Sequence, residues 1–145
     1  MNDLITCKEL INDCFSDLWT LHLTFIGILL SLITLLYSFI LSKKDELKLV
    51  IEQIKLGDSC PLVIQKKNFA IAYIKRLVTI NCHCFCILII SIFLASCSWI
   101  GMRFLKGGIV FGVLVTIASL TIIVIGYIIY LAIRILKQYK NDIRI

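Results

Sequence analysis

Residues 18–41 read LWTLHLTFIGILLSLITLLYSFIL, a run without an Asp, Glu, Lys or Arg. An α-helix needs about 20 apolar residues to cross a bilayer core of about 30 Å, and this block meets that length. Two more blocks do the same, residues 80–100 (INCHCFCILIISIFLASCSWI) and 107–136 (GGIVFGVLVTIASLTIIVIGYIIYLAIRIL). The chain is 60% hydrophobic over 145 residues, with a mean hydropathy of +0.99. A soluble domain scatters its apolar residues by amphipathic period instead of gathering them in blocks of this length. The fold class expected is therefore all-α, an integral membrane protein with three transmembrane helices. The longest polar stretch, about residues 42–68, leaves no room for a separate soluble domain. The domain reading is a single membrane unit: an amphipathic segment (1–17), three spans (18–41, 80–100, 107–136), a polar hairpin (42–79) and a tail (137–145).

The amino terminus does not have the makeup of a signal peptide. Asp3, Glu9, Asp13 and Asp17 stand against a single Lys8, and the apolar block that follows is too long for an h-region. Residues 4–18 instead predict an amphipathic helix at the interface, with Leu4, Ile5, Ile11, Cys14, Phe15 and Leu18 on one face.

The first span is expected to continue beyond the membrane. After Lys43-Lys44-Asp45-Glu46, the apolar residues Leu47, Val50, Ile51 and Ile54 keep helical spacing, while Lys48, Glu52 and Lys55 make the other face polar. Gly57 suits a helix C′ position, Asp58 or Ser59 an N-cap, and Pro61 the first turn of the next helix. Helix 1 then ends near residue 56, and helix 2 runs from about 60 to 100. Roughly 20 Å of each projects from the bilayer as a hairpin. Gly101 and Gly107-Gly108 read as brackets of a tight turn into the third helix.

Net charge is +6, and its placement predicts orientation. Lys43, Lys44, Lys48, Lys55, Lys66, Lys67, Lys75 and Arg76 lie in or beside the hairpin, and Arg134, Lys137, Lys140 and Arg144 at the carboxyl end. The positive-inside rule puts both in the cytoplasm and the amino terminus outside. Trp19 and Trp99 then fall at the outer interface. The alternative topology has residues 1–17 cytoplasmic and one block not crossing. Basic residues of the hairpin are read as this topological signal and not as a nucleic-acid surface.

Small residues form stripes. Thr20, Thr24, Gly27, Ser31, Thr34 and Ser38 are spaced four, three, four, three, four, a heptad seam. In lipid such seams let helices approach closely and bond across, and they also suit the lining of an aqueous path. His22 sits beside the seam. Helix 2 carries Asn81, Cys84, Leu88, Ser91, Ala95 and Ser98, and helix 3 carries Gly108, Gly112, Thr116, Ser119 and Gly126. Three helices do not satisfy three seams internally while showing lipid only apolar faces, so a homo-oligomer is expected. Thr20, Thr24, Gly27, Ser31, Thr34, Ser38, Asn81 and His83 are the candidate pore-lining or packing residues.

Chemistry concentrates at Arg76–Cys86 (RLVTINCHCFC). His83 is the ionisable group within helix 2, and intramembrane ionisable groups are functional candidates. Cys82, His83 and Cys86 on one side of a helix suit zinc, but no second ligand cluster exists, so no metal is expected. The seven cysteines, an odd number with three inside a membrane block, read as packing residues and not as a disulfide framework. No Gly-rich phosphate loop or nucleophile elbow is present, no carboxylate lies in a span, and Asp45, Glu46, Glu52 and Asp58 do not form the motifs of a diacylglycerol kinase. The chain is expected not to be an enzyme and to need no cofactor.

Arg76 and His83, separated by six residues, are similar to the R-x(4–6)-H motif of HEPN ribonucleases, in which the Arg and His serve attack by the RNA 2′-hydroxyl. Here the pair straddles a membrane boundary and reads as degenerate, with no catalytic residues expected. With its size and its Ile-, Lys- and Cys-rich composition, the chain resembles the small accessory membrane proteins of type VI-B CRISPR loci, a branch of which is HEPN-like and forms a ring-shaped pore. The long hairpin also resembles SLATT-type conflict effectors. These resemblances imply an oligomeric pore of the bacterial inner membrane that depolarises the host, linked to an RNA-guided RNase and without direct nucleic-acid binding. The partners implied are further copies of the chain and the bilayer. The alternative is a membrane anchor or regulatory subunit without a pore, or a small membrane enzyme.

Overall fold

The computed structural model describes residues 2–57, 60–104 and 109–143. They form three α-helices: α1 (Asn2–Lys55), α2 (Pro61–Phe104) and α3 (Ile109–Ile143). Among the described residues there is no strand. Each helix is long and apolar enough to cross a membrane, with windows of mean hydropathy 2.3, 2.4 and 2.7 in chain order. The protein is an all-α, multi-pass membrane protein.

The extension of the first two helices follows the sequence pattern. α1 continues to Lys55, with Val50 buried and Leu47, Ile51 and Ile54 half-buried. Gly57 then adopts φ +96°, a left-handed conformation that a Cβ disfavours, and its amide donates to the carbonyl of Ile54 at 3.2 Å. The Cys60 carbonyl accepts from Val63 and Ile64 at 2.9 and 3.3 Å, so Cys60 occupies the N-cap position and Pro61 the first helical one. The expected caps Asp58 and Ser59 lie outside the described residues, as do Lys106 and the Gly107-Gly108 turn.

Contacts divide the chain into two compact units, residues 24–90 and residues 1–23 with 91–145. In the first, Leu29, Ile33, Leu36, Ile40 and Val50 of α1 and Ala70, Cys84, Ile87 and Leu88 of α2 are buried. Lys43 lies 6.0 Å from the ring centroid of Tyr73, which pairs the two arms of the hairpin. Lys43 also bonds Glu46, and Lys48 bonds Asp45 at 2.8 Å, each along one helical turn. The Lys43 ammonium beside Glu46 holds its carboxyl below the ordinary range, and the Asp45 carboxylate raises Lys48. All four side chains are exposed, so these pairs contribute little. The Glu46 contribution is present at neutral pH and fades on acidification.

In the second unit, Phe15 and His22 of α1, Ser91, Leu94, Ala95 and Ser98 of α2, and Ile117, Thr121, Val124 and Leu131 of α3 are buried; Phe15 lies against Gly101 and His22 against Thr121. Here the structure differs from the sequence reading in two respects. Residues 2–17 are the first turns of α1 and not a separate element, and Phe15 is 1% exposed. Ile11 and Leu18 are half-buried and Cys14 is exposed; the side chains of Leu4 and Ile5 lie outside those described. Gly101 does not bracket a turn: α2 runs through it to Phe104. The reason is packing. A Cβ on Gly101 would stand 2.6 Å from Cε1 of Phe15, so the glycine admits the ring between helices. The third helix, α3, runs to Ile143.

Gly101→Ala forces the buried Phe15 ring to move and is expected to cost about 1–3 kcal/mol, the usual range for overpacking. Phe15→Ala is expected to cost about 3–5 kcal/mol. Thermal unfolding of the full chain in detergent, followed by helical circular dichroism, checks both; an unchanged midpoint for Gly101→Ala means that the ring is not seated there.

Candidate functional site

Thr20, Thr24, Gly27, Ser31, Thr34 and Ser38 all face outward from α1. The buried stripe of the same helix is Phe15, His22, Leu29, Ile33, Leu36 and Ile40. The seam is offset from this stripe by two residues, about 200° around the helix, so it is the opposite face. On α3, Gly112, Thr116, Ser119 and Gly126 are likewise exposed, whereas Gly108 lies outside the described residues. Only α2 turns its small residues inward: Cys84, Leu88, Ser91, Ala95 and Ser98 are buried and Asn81 is half-buried. Accordingly 28% of the most apolar window of α2 is covered by the chain itself, against 17% for α1 and for α3.

Five of the outward hydroxyls bond to their own helices. Thr20, Ser31 and Thr34 donate to the carbonyls of Ser16, Gly27 and Leu30 at 2.9, 3.0 and 2.9 Å. Thr116 and Ser119 donate to Gly112 and Val115 at 2.9 and 2.8 Å. Each of these five protons is spent four residues back on the residue's own helix. Both faces are then smooth, low and internally bonded, and a Cβ at Gly27, Gly112 or Gly126 would meet nothing within 4 Å.

His83 and Asn81, the helix 2 candidates, are half-buried, and the Asn81 Oδ1 is buried with no hydrogen-bond partner. Arg76 is exposed, two turns from His83 on the same helix. Cys82 and Cys86 are exposed whereas Cys84 is buried, so the cysteine run divides between faces. Among the described residues, no three His, Cys, Asp or Glu side chains come together as a metal site.

The residue that sequence reasoning passed over is His22. It is 0% exposed, and its Nε2 lies 3.0 Å from Oγ1 of Thr121 on α3. The Thr121 hydroxyl donates its one proton to the Ile117 carbonyl at 2.8 Å. The hydroxyl and the imidazole thus join α1 to α3 through a buried hydrogen bond whose donor is set by the ring's tautomer. Ser91 and Ser98 are 0% exposed in the same unit, and neither hydroxyl has a hydrogen-bond partner. The spacing of seven from Phe15 to His22 to Leu29 was the available signal: it puts the imidazole on the core stripe.

No protein-family model matches the chain, and neither a curated protein nor a solved structure is significantly similar to it.

Thr121→Val removes the hydrogen-bond partner of a buried ring nitrogen and is expected to destabilise the helical unit by about 1–2 kcal/mol, while Thr116→Val, on the outward face, changes its stability by less than about 0.5 kcal/mol. Equal effects of the two, in detergent unfolding, contradict the asymmetry.

Proposed function

We propose that the protein assembles with copies of itself into a membrane pore. The observation that carries this reading is the outward direction of two small-residue seams, on α1 and α3, in which Thr20, Ser31, Thr34, Thr116 and Ser119 are bonded within their own helices. A face meeting lipid alone gains nothing from Gly, Ser and Thr at heptad spacing, whereas a second helix gains close approach. A single chain of three helices leaves both seams uncovered, and two different seams per protomer suit head-to-tail contacts that close into a ring. The orientation proposed has the amino terminus outside and the hairpin and carboxyl end in the cytoplasm of a bacterial inner membrane, on the distribution of Lys and Arg. The role proposed is that of an effector in antiviral defence, depolarising the membrane alongside an RNA-guided RNase. It rests on the resemblance of size, composition and the Arg76–His83 pair to type VI-B accessory proteins. The competing function is an anchor or regulatory subunit without a lumen.

Mass and symmetry of the purified complex in detergent test this. A closed ring of roughly five or more copies is expected, with substitutions such as Ser31→Leu reducing the assembly and membrane depolarisation together. A monomer, dimer or trimer contradicts the pore. An intact ring that supports no ion flux leaves the anchor.

A further inference from the structure

We propose that one side of the polar hairpin, carrying Leu49, Leu56, Leu62 and Phe69, is a docking surface for the hairpin of a second copy of the chain. All four residues belong to the compact unit of residues 24–90. They lie outside the apolar blocks, so the contact is independent of the pore. Between residues 43 and 76 twelve side chains are charged, a density that hydrocarbon does not admit, and the segment stands in water. There Leu56 is 89% exposed, Leu62 71%, Phe69 68% and Leu49 63%. Exposed apolar side chains of the spans meet lipid. These four meet water, and a patch of that kind marks an interaction site.

The four residues share a side of the hairpin. Val50 on α1 and Ala70 on α2 are buried. Leu49 and Phe69 each stand one residue before these, about 100° around the helix in the same sense. The arms run antiparallel, with Lys43 beside Tyr73, and equal senses on antiparallel helices fall on one side. Leu56 and Leu62 lie seven residues from Leu49 and Phe69, about 20° off their lines. Two contacts agree with this placement. Beside its bond to Lys43, the Glu46 carboxylate is also favoured by Lys66; these residues stand four before Val50 and four before Ala70. Tyr73 stacks on Phe69, with 6.4 Å between ring centroids.

The register of the arms points to a second copy as the occupant. From the level of Lys43 and Tyr73, Leu49 stands level with Lys67, two residues from Phe69. By the same count Leu56 stands level with Cys60, two residues from Leu62. The patch is therefore two apolar layers, one heptad or about 10 Å apart, each with one residue from either arm. Helices packed side by side exchange layers at that spacing, and the hairpin of another copy offers them in the same pair.

Charge argues against an anionic occupant. Lys44, Lys55 and Lys75 are exposed and form no ion pair among the described residues. Each stands one residue after an inward, half-buried position (Lys43, Ile54 and Ile74), which is the other sense and the other side of the hairpin. A phospholipid headgroup or a nucleic acid meets the hairpin there. On the apolar side Glu46 offsets Lys66, and Arg76 stands a further heptad from Phe69, toward the span. The stripe between them carries no net charge, as a self-contact requires.

The test is photo-crosslinking of the full chain in membranes, with a photoreactive residue at Leu49 or Leu56 and, on the other side of the hairpin, at Lys55. Covalently linked copies of the chain are expected from Leu49 and Leu56, and few from Lys55. Leu62→Lys/Phe69→Lys is expected to lower the yield of linked copies severalfold. Both side chains are exposed, so the unfolding midpoint of the helices stays in place and shows that the variant is folded. Lipid adducts from Leu49 and Leu56, adducts with a different protein, or no adduct overturn the proposal. Equal yields from Lys55, or an unchanged yield in the folded double variant, overturn it as well.

Discussion

Inside a hydrocarbon layer no water bonds a backbone amide or carbonyl, and every group left unbonded costs several kcal/mol. The three long helices answer that constraint locally, which is why they persist through residues whose intrinsic preferences argue otherwise. α2 crosses Gly101, and α1 carries five β-branched or hydroxylated residues of its seam without a break. Once the backbone is satisfied within each helix, what remains to be decided is how side chains meet, and lipid offers no hydrophobic force to decide it.

Side-chain size then sorts the faces. α2 places its small and hydroxyl residues inward, where Ser91, Ala95, Ser98 and Gly101 let α1 come close enough for Phe15 to be fully covered. α1 and α3 place theirs outward, opposite the stripes that they bury. The same residue types thus serve one helix as an internal seam and two helices as external faces. Outward, Thr20, Ser31, Thr34, Thr116 and Ser119 close on their own helices, whereas the inward Ser91 and Ser98 do not. The assembly reading rests on the first behaviour.

Much of the fold was legible because its signals were local. The spacing of Leu47, Val50 and Ile54 extends α1, Gly57 ends it with a positive φ, and Pro61 opens α2. Gly101 shows where locality fails. A glycine after an apolar run reads as a turn, and only the ring of Phe15, far away in sequence, explains it as a close approach inside a helix. His22 fails differently. Beside a conspicuous row of Thr and Ser it looked peripheral, whereas the core is on the opposite face and the histidine lies on it. The seam itself was found at once, but periodicity carries no direction: it gives the angle between two stripes and not which of them is covered.

The central claim is that the outward α1 seam faces protein and not lipid. Site-specific photo-crosslinking from Ser31 in intact membranes tests it most directly, with Ile122, an exposed apolar residue of α3, as reference. Adducts between copies of the chain from Ser31, with lipid adducts from Ile122, are the predicted result. Lipid adducts from both positions would contradict it.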